Sequence, residues 1–237
     1  MAACPAMTRQ TRKTQPAVDS GIETSRLTRM KTTLLAFAAS LTTILSSWAQ
    51  QTPLELRVDE AAAFGENKMS ASVTAGPLFD VGGNSHENLL SATLVSWHWQ
   101  LDDVGNPGWR RGNTEWITSA YFHPVWDGTE SRFLGGLFGP RYNFVQEGWK
   151  WVPFLGARVG FGFTDSRDNS QRPGAQGQDF VFTFMVEAGA RYIINDRVDL
   201  SLGAHYQHFS NAGLSEPEQK NYGLDVLGPV ASVNFRF

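Results

Sequence analysis

His208 and Ser210 set an imidazole and a hydroxyl two residues apart. In an extended strand, side chains at that spacing leave the backbone on the same face. A serine hydroxyl alone is a weak nucleophile at neutral pH; a histidine within hydrogen-bond reach can take its proton, and a carboxylate can orient that histidine. Asp225 offers such a carboxylate in the next segment of the chain. Asn211 could add a side-chain donor, and the backbone N–H near Gly213 a second, for the oxyanion formed in acyl transfer. The plainer alternative is that His208 and Ser210 are polar residues closing a strand, where they meet water or headgroups cheaply.

The elements that must position these groups are legible in the period of the sequence. Alternation with period two, punctuated by turn residues, recurs in eight segments at roughly 68–79, 88–101, 113–126, 130–145, 150–164, 179–194, 197–210 and 222–237. In the sixth, Phe180, Phe182, Phe184, Val186 and Tyr192 share a face, opposite Thr183, Glu187, Gly189 and Arg191. In the fifth, Leu155, Val159, Phe161 and Phe163 oppose Gly156, Arg158, Gly160 and Gly162. The segment at 88–101 is noisier, with Val95, Trp97 and Trp99 opposing Leu90, Ala92 and Leu94. Aromatic apolar faces backed by glycines and lone charges fit an all-β fold: an eight-stranded antiparallel transmembrane β-barrel with its apolar side toward lipid and ion pairs inside. Closure follows because an open sheet edge in lipid would leave backbone groups unsatisfied.

Strand phase then fixes where the reactive groups point. Val198, Leu200, Leu202, Ala204 and Tyr206 continue into His208 and Ser210 on the lipid side, whereas Asp199, Ser201, Gly203, His205 and Gln207 face inward. Asp225 shares the outer face with Leu227, Ala231 and Val233. Antiparallel pairing of these two sequence-adjacent strands places Asp225 beside His208. Ionisable groups on a lipid-facing wall are expensive and point to function, and the substrate suited to that wall is an ester of a lipid. His205 is expected inside with Arg141, Arg158, Glu187 and Arg191, a buried network in which charges need partners.

The chain has 237 residues, a net charge of −3, 18% charged and 12% aromatic residues. This balance gives no support to a nucleic-acid partner. Cys4 is the single cysteine, which excludes a disulfide framework. Met30-Lys31, the apolar run through Leu45 and Ser47-Trp48-Ala49 read as a secretory signal peptide, with Met30 as the start and cleavage near Ala49-Gln50. The expected organisation is therefore an N-terminal extension and signal at 1–49, an irregular or weakly helical preamble at 50–66 and a barrel over 67–237. The exported chain keeps 14 basic and 21 acidic groups after loss of Arg9, Arg12, Lys13, Arg26, Arg29, Lys31, Asp19 and Glu23. His86, His98 and His123 lack metal-ligand spacing. Asp165, Asp168 and Asp179 read as a solvated loop, and Gly135, Gly136, Gly160 and Gly162 as relief of crowding. The scattered tryptophans read as interfacial anchors.

The run His208-Phe209-Ser210-Asn211-Ala212-Gly213-Leu214, followed by Pro217 and by Asn221-Tyr222-Gly223-Leu224-Asp225, resembles the signature of the lipid A 3-O-deacylase family. The terminal strand ending on Phe237 also resembles that of bacterial outer-membrane barrels. The family resemblance implies an outer-membrane serine esterase that removes the 3-O-linked acyl chain of lipid A, with no cofactor and no metal. It implies Ser210 as nucleophile, His208 as general base, Asp225 as the orienting acid, and Asn211 and Gly213 at the oxyanion positions. Glu218-Gln219-Lys220 lengthen the connection, and Asp225 stands where the family pattern has a glutamate; Glu216 and Glu218 are rival acids. Implied partners are lipid A within lipopolysaccharide and the surrounding membrane lipids, with a homodimer left open. The competing functions are a non-enzymatic small barrel, adhesive or structural, and a phospholipase or acyltransferase on the same wall.

Overall fold

All eight alternating segments are strands: β1 (Met69–Asp80), β2 (Leu89–Gln100), β3 (Asn113–Asp127), β4 (Arg132–Asn143), β5 (Trp151–Thr164), β6 (Phe180–Ile193), β7 (Val198–Ser210) and β8 (Leu224–Arg236). The computed structural model describes residues 63–82, 88–167 and 174–237. The segment 1–49, the start at Met30, most of the preamble, His86 and Asp168 lie outside the described residues. Every strand pairs antiparallel with its sequence neighbour, and β1 pairs antiparallel with β8, so the sheet closes on itself. A 3-10 turn at Gly108–Arg110 interrupts the β2–β3 connection.

The exterior is an apolar band. Val95, Trp97, Phe122, Leu155, Phe161 and Phe182 all stand exposed on it, which is the outward phase expected from the alternation. Aromatic pairs on it bridge neighbouring strands, as Trp151 of β5 does with Tyr192 of β6 at 4.9 Å between ring centroids, or meet edge to face along one strand, as Phe180 and Phe182 do on β6.

The interior is layered rather than polar throughout, which corrects the expectation. At the end of the barrel that holds the chain's last strand residue, Arg141 and Arg158 converge on Glu187 at 2.8 and 2.7 Å. Arg141 and Arg191 also reach Glu115 at 3.2 and 2.9 Å, and Arg191 and Arg236 share Asp199. Phe64, just before β1, closes this end: both Arg191 and Arg236 lie 5.7 Å from its ring, and Asn113 Nδ2 donates to its carbonyl. Midway, His123 and His205 meet Gln207 Oε1 at 3.1 and 2.8 Å, while Gln207 Nε2 donates to Thr183 Oγ1. His98 sits inside as well, on Ser72 Oγ.

The opposite third is apolar. Leu78, Leu90, Leu94, Phe133, Met185 and Phe209 are fully buried there, each contributing about 1.5–3 kcal/mol by leaving water. The apolar inner face of β2 therefore belongs to a core, and this is why its alternation is noisy: both faces of the strand are hydrophobic. Gly162 is required in this layer, because a Cβ there would collide with Tyr121 Oη and the backbone of Leu134.

Candidate active site

Above that apolar layer, β7 ends and β8 begins. His208 and Asp225 are directly paired in the β7–β8 ladder, and His208 Nδ1 lies 2.8 Å from Asp225 Oδ1. The carboxylate accepts the Nδ1 proton, which leaves Nε2 as the free base. Both side chains are about one-third exposed on the outer wall. Phe184, opposite His208 on β6, backs the imidazole at 5.2 Å between centroids. Neither rival acid is on His208: Glu216 Oε1 accepts the Asn221 backbone N–H at 3.5 Å, and Glu218 is exposed in the loop.

Ser210 stands on the same outward face, and its hydroxyl is held by other donors. Asn221 Nδ2 donates to Ser210 Oγ at 2.8 Å and the Ala212 backbone N–H at 3.1 Å. Two residues of strand separate Ser210 from His208 by about 6.6 Å of rise, and this resting hydroxyl is turned toward the loop. Catalytic hydrogen bonds are commonly loose before substrate arrives.

The turn after β7 explains the donors. Ala212 and Gly213 adopt positive φ of 56° and 77°, a left-handed pair that tilts successive N–H groups back toward the strand end. Asn211 holds this turn from beneath. Its Oδ1 accepts the Gly213 N–H at 2.8 Å, and its Nδ2 donates to the Gln176 carbonyl and Ser215 Oγ at 2.6 and 2.7 Å. The two groups expected at the oxyanion positions are thus engaged within the turn at rest. Asn211 continues the inward phase of β7 and is fully buried, so its amide is spent on the loops, and the Gly213 N–H is spent on Asn211.

Three connections are stitched together around that turn. Gln176 N–H donates to Glu130 Oε1 at 2.9 Å and Gly177 N–H to Ser166 Oγ at 3.0 Å. Burial pushes the Glu130 carboxyl up against the opposing hydrogen bonds from Gln176 and Ser166. Asp165 accepts from Ser131 N–H and Oγ, and Asp179 from the Arg167 N–H, so these loop carboxylates bind loop backbone.

The site opens sideways onto the wall. A groove of about 610 Å³ runs over Phe138, Val159, Phe161, Phe182 and Phe184 to His208, Ser210 and Ala212. Its residues form two rows across the strands: Phe161, Phe182 and Ser210 in one, Phe138, Val159, Phe184 and His208 in the other.

Sequence reasoning did not assign roles to Asn221 or Tyr206. Tyr206 Oη donates to Asp225 Oδ1 at 2.5 Å; its outward phase, shared with His208 and Ser210, was the available signal. Asn221 lies in a connection without strand period, and its place in the Asn221–Asp225 run was the available signal.

No protein of curated function matches the chain by sequence. Among solved structures, the chain is similar to the outer membrane enzyme PagL at 18% identity, covering 69% of this chain and 97% of that one, with a TM-score of 0.47. It is similar to neisserial surface protein A at 16% identity (72% and 96% covered, TM-score 0.48) and to the outer membrane protein OprG from Pseudomonas aeruginosa at 13% (74% and 98%, TM-score 0.40). The family described as lipid A 3-O-deacylase (PagL) matches residues 89–234, from the first residue of β2 into β8 and across the whole β7–β8 site, and the chain belongs to that family.

Proposed function

We propose that this barrel is a serine esterase of the outer membrane that hydrolyses the 3-O-linked acyl ester of lipid A, with Ser210 as nucleophile and His208 as base. The observation that carries the reading is the His208–Asp225 pair beside Ser210 on the outward, apolar face of a closed barrel. A soluble ester would have no reason to meet its enzyme on that face. An acyl chain laid from Ser210 across β6 and β5 to β4 crosses three inter-strand spacings, about 14 Å, which accommodates roughly ten methylenes.

In the proposed reaction Ser210 Oγ attacks the acyl carbonyl carbon while His208 Nε2 takes the hydroxyl proton. Asp225 keeps the Nδ1 proton in place and stabilises the imidazolium without itself becoming protonated. As the carbonyl oxygen gains negative charge, Asn221 Nδ2 and the Ala212 N–H, which at rest donate to Ser210 Oγ, turn to it. The proton on His208 passes to the sugar oxygen as the ester bond breaks. Water, deprotonated by His208, then attacks the acyl-enzyme, and the fatty acid leaves as Ser210 recovers its proton. Export through the 1–49 signal and a periplasmic position for both barrel termini belong to the same proposal.

The test is a mass spectrum of lipid A from Gram-negative cells expressing the chain from Met30, beside Ser210→Ala. Loss of one 3-hydroxyacyl group only with the intact serine is the expected result. An unchanged spectrum with both proteins folded in the outer membrane, or equal loss with Ser210→Ala, refutes the reading.

A further inference from the structure

We infer that Tyr206 is a positioning residue of this hydrolase, acting through Asp225; the inference rests on the esterase reading above. Tyr206, His208 and Ser210 stand at alternate positions on the outward row of β7, and Asp225 faces His208 directly across the ladder. Tyr206 is its diagonal neighbour, a separation that long aromatic side chains span. Its hydroxyl donates to Oδ1 of Asp225, the same oxygen that accepts the His208 Nδ1 proton. Among the described residues these are the two hydrogen bonds to the Asp225 carboxylate, while Oδ2 looks toward Gly82. Phe184 packs against both donors, 5.8 Å from the Tyr206 ring and 5.2 Å from the His208 ring.

An aspartate on an outer wall, about one-third exposed, has no burial to fix its carboxylate plane. The two donors define it. When His208 takes on a proton and carries it to the leaving group, the Tyr206 hydroxyl keeps Oδ1 in register. It also takes up part of the carboxylate charge. Among the described residues, few other ionisable groups face this spot. Asp80 lies beyond Gly82, with its carboxylate taken by the Gly82 N–H and Asn88 Nδ2. From the β7–β8 connection come Tyr222 and Lys220, the latter 4.6 Å over the Tyr222 ring. Neither β6 nor β7 adds another charge on the outward face beside His208: Phe184 and Phe182 lie opposite it and Ser210.

The experiment measures kcat and KM for fatty-acid release from hexa-acylated lipid A in detergent micelles, by mass spectrometry. The full chain is compared with Tyr206→Phe, Asp225→Asn, the double variant and Ser210→Ala. Tyr206→Phe removes one oxygen from an outward ring and keeps its packing on Phe184, so it folds. Its kcat is expected to fall roughly tenfold at unchanged KM, the size set by loss of one hydrogen bond to a charged group. In the Asp225→Asn background the same change has no further effect, because the coupling runs through the carboxylate. A kcat within twofold of wild type in Tyr206→Phe, with Ser210→Ala and Asp225→Asn strongly impaired, overturns the inference and leaves the esterase standing. The same holds if Tyr206→Phe acts equally with and without Asp225. Full activity in Ser210→Ala instead removes the esterase reading itself.

Discussion

Replacing Asn211 by alanine separates two accounts of this residue, an oxyanion donor and a strut under the turn. The structure favours the strut. Three hydrogen bonds leave the Asn211 side chain: to the Gln176 carbonyl, to Ser215 Oγ and from the Gly213 N–H. Each contributes about 0.5–1.5 kcal/mol net, and a buried partner left unpaired costs about 1–3 kcal/mol. The alanine variant therefore loosens the Ala212–Gly213 turn by about 2–4 kcal/mol. It does so where Ala212 already holds a left-handed backbone that a β-carbon disfavours by about 1–2 kcal/mol. At about 1.4 kcal/mol per decade, the competent turn falls in population by about 30- to 1,000-fold as an upper bound. The fall appears in kcat, because the Ala212 N–H leaves Ser210, while the groove and hence KM are unchanged. The barrel itself is spared, since the ladder from Phe209 opposite Leu224 downward does not involve Asn211. The assay is steady-state release of 3-hydroxy fatty acid, with the urea midpoint and amide exchange at Ala212 and Gly213 measured on the same samples. A variant with kcat within twofold of wild type would refute the reasoning. So would a large loss of kcat with amide exchange unchanged, which is the signature of a side chain that touches the oxyanion directly.

Two further predictions concern neighbours of that turn. Asn221→Ala removes the 2.8 Å donor on Ser210 and is expected to lower kcat by about 10²- to 10³-fold with little change in KM; steady-state kinetics on the purified variant decide it, and wild-type kcat sinks the assignment of Asn221 to the developing oxyanion. Glu130 has its pKa raised by burial, so the folded protein holds that proton more tightly than the unfolded chain. The resulting stability is fully present below the ordinary glutamate value and is lost as pH rises through the folded one. Glu130→Gln keeps an acceptor for the Gln176 N–H and lacks the titration, so its urea midpoint should gain on wild type over the pH range above the ordinary glutamate value. Parallel midpoints across that range contradict the linkage.

What was legible in the sequence was whatever strand period encodes. Boundaries, facing and the His208–Asp225 pairing follow from alternation plus the adjacency of consecutive strands, because side chains on a strand have only two directions to take. The inner charge network was legible for the same reason, although Glu115 was not singled out. The apolar inner layer was harder to see. Leu90, Ala92 and Leu94 oppose Val95, Trp97 and Trp99, and a strand hydrophobic on both faces carries no alternation from which to choose. The loops carry no period at all. Asn211 has a definite phase, and reading it as inward would have turned its amide away from Ser210. The donor that does reach the hydroxyl, Asn221, comes from eleven residues further on through a connection tied by Asn211 to the loop that carries Gln176.

The buried layer and the exposed site are one construction. Phe209 lies between His208 and Ser210 in sequence and is fully buried, 4.5 Å from the ring of Phe133, with Tyr121 and His123 at 6.1 and 6.2 Å. On a strand, anchoring one residue inside forces both neighbours outside. The aromatic cluster around Phe209 is therefore what holds His208 and Ser210 on the wall and pins β7 in register with β8. A slip of one residue would carry both reactive groups into the apolar interior and bring Phe209 out. This also gives the apolar third of the barrel a reason to lie at this end. A charged layer here would need its own partners in the same register, whereas packed rings and aliphatic chains fix the phase of β7 and leave its polar groups facing outward.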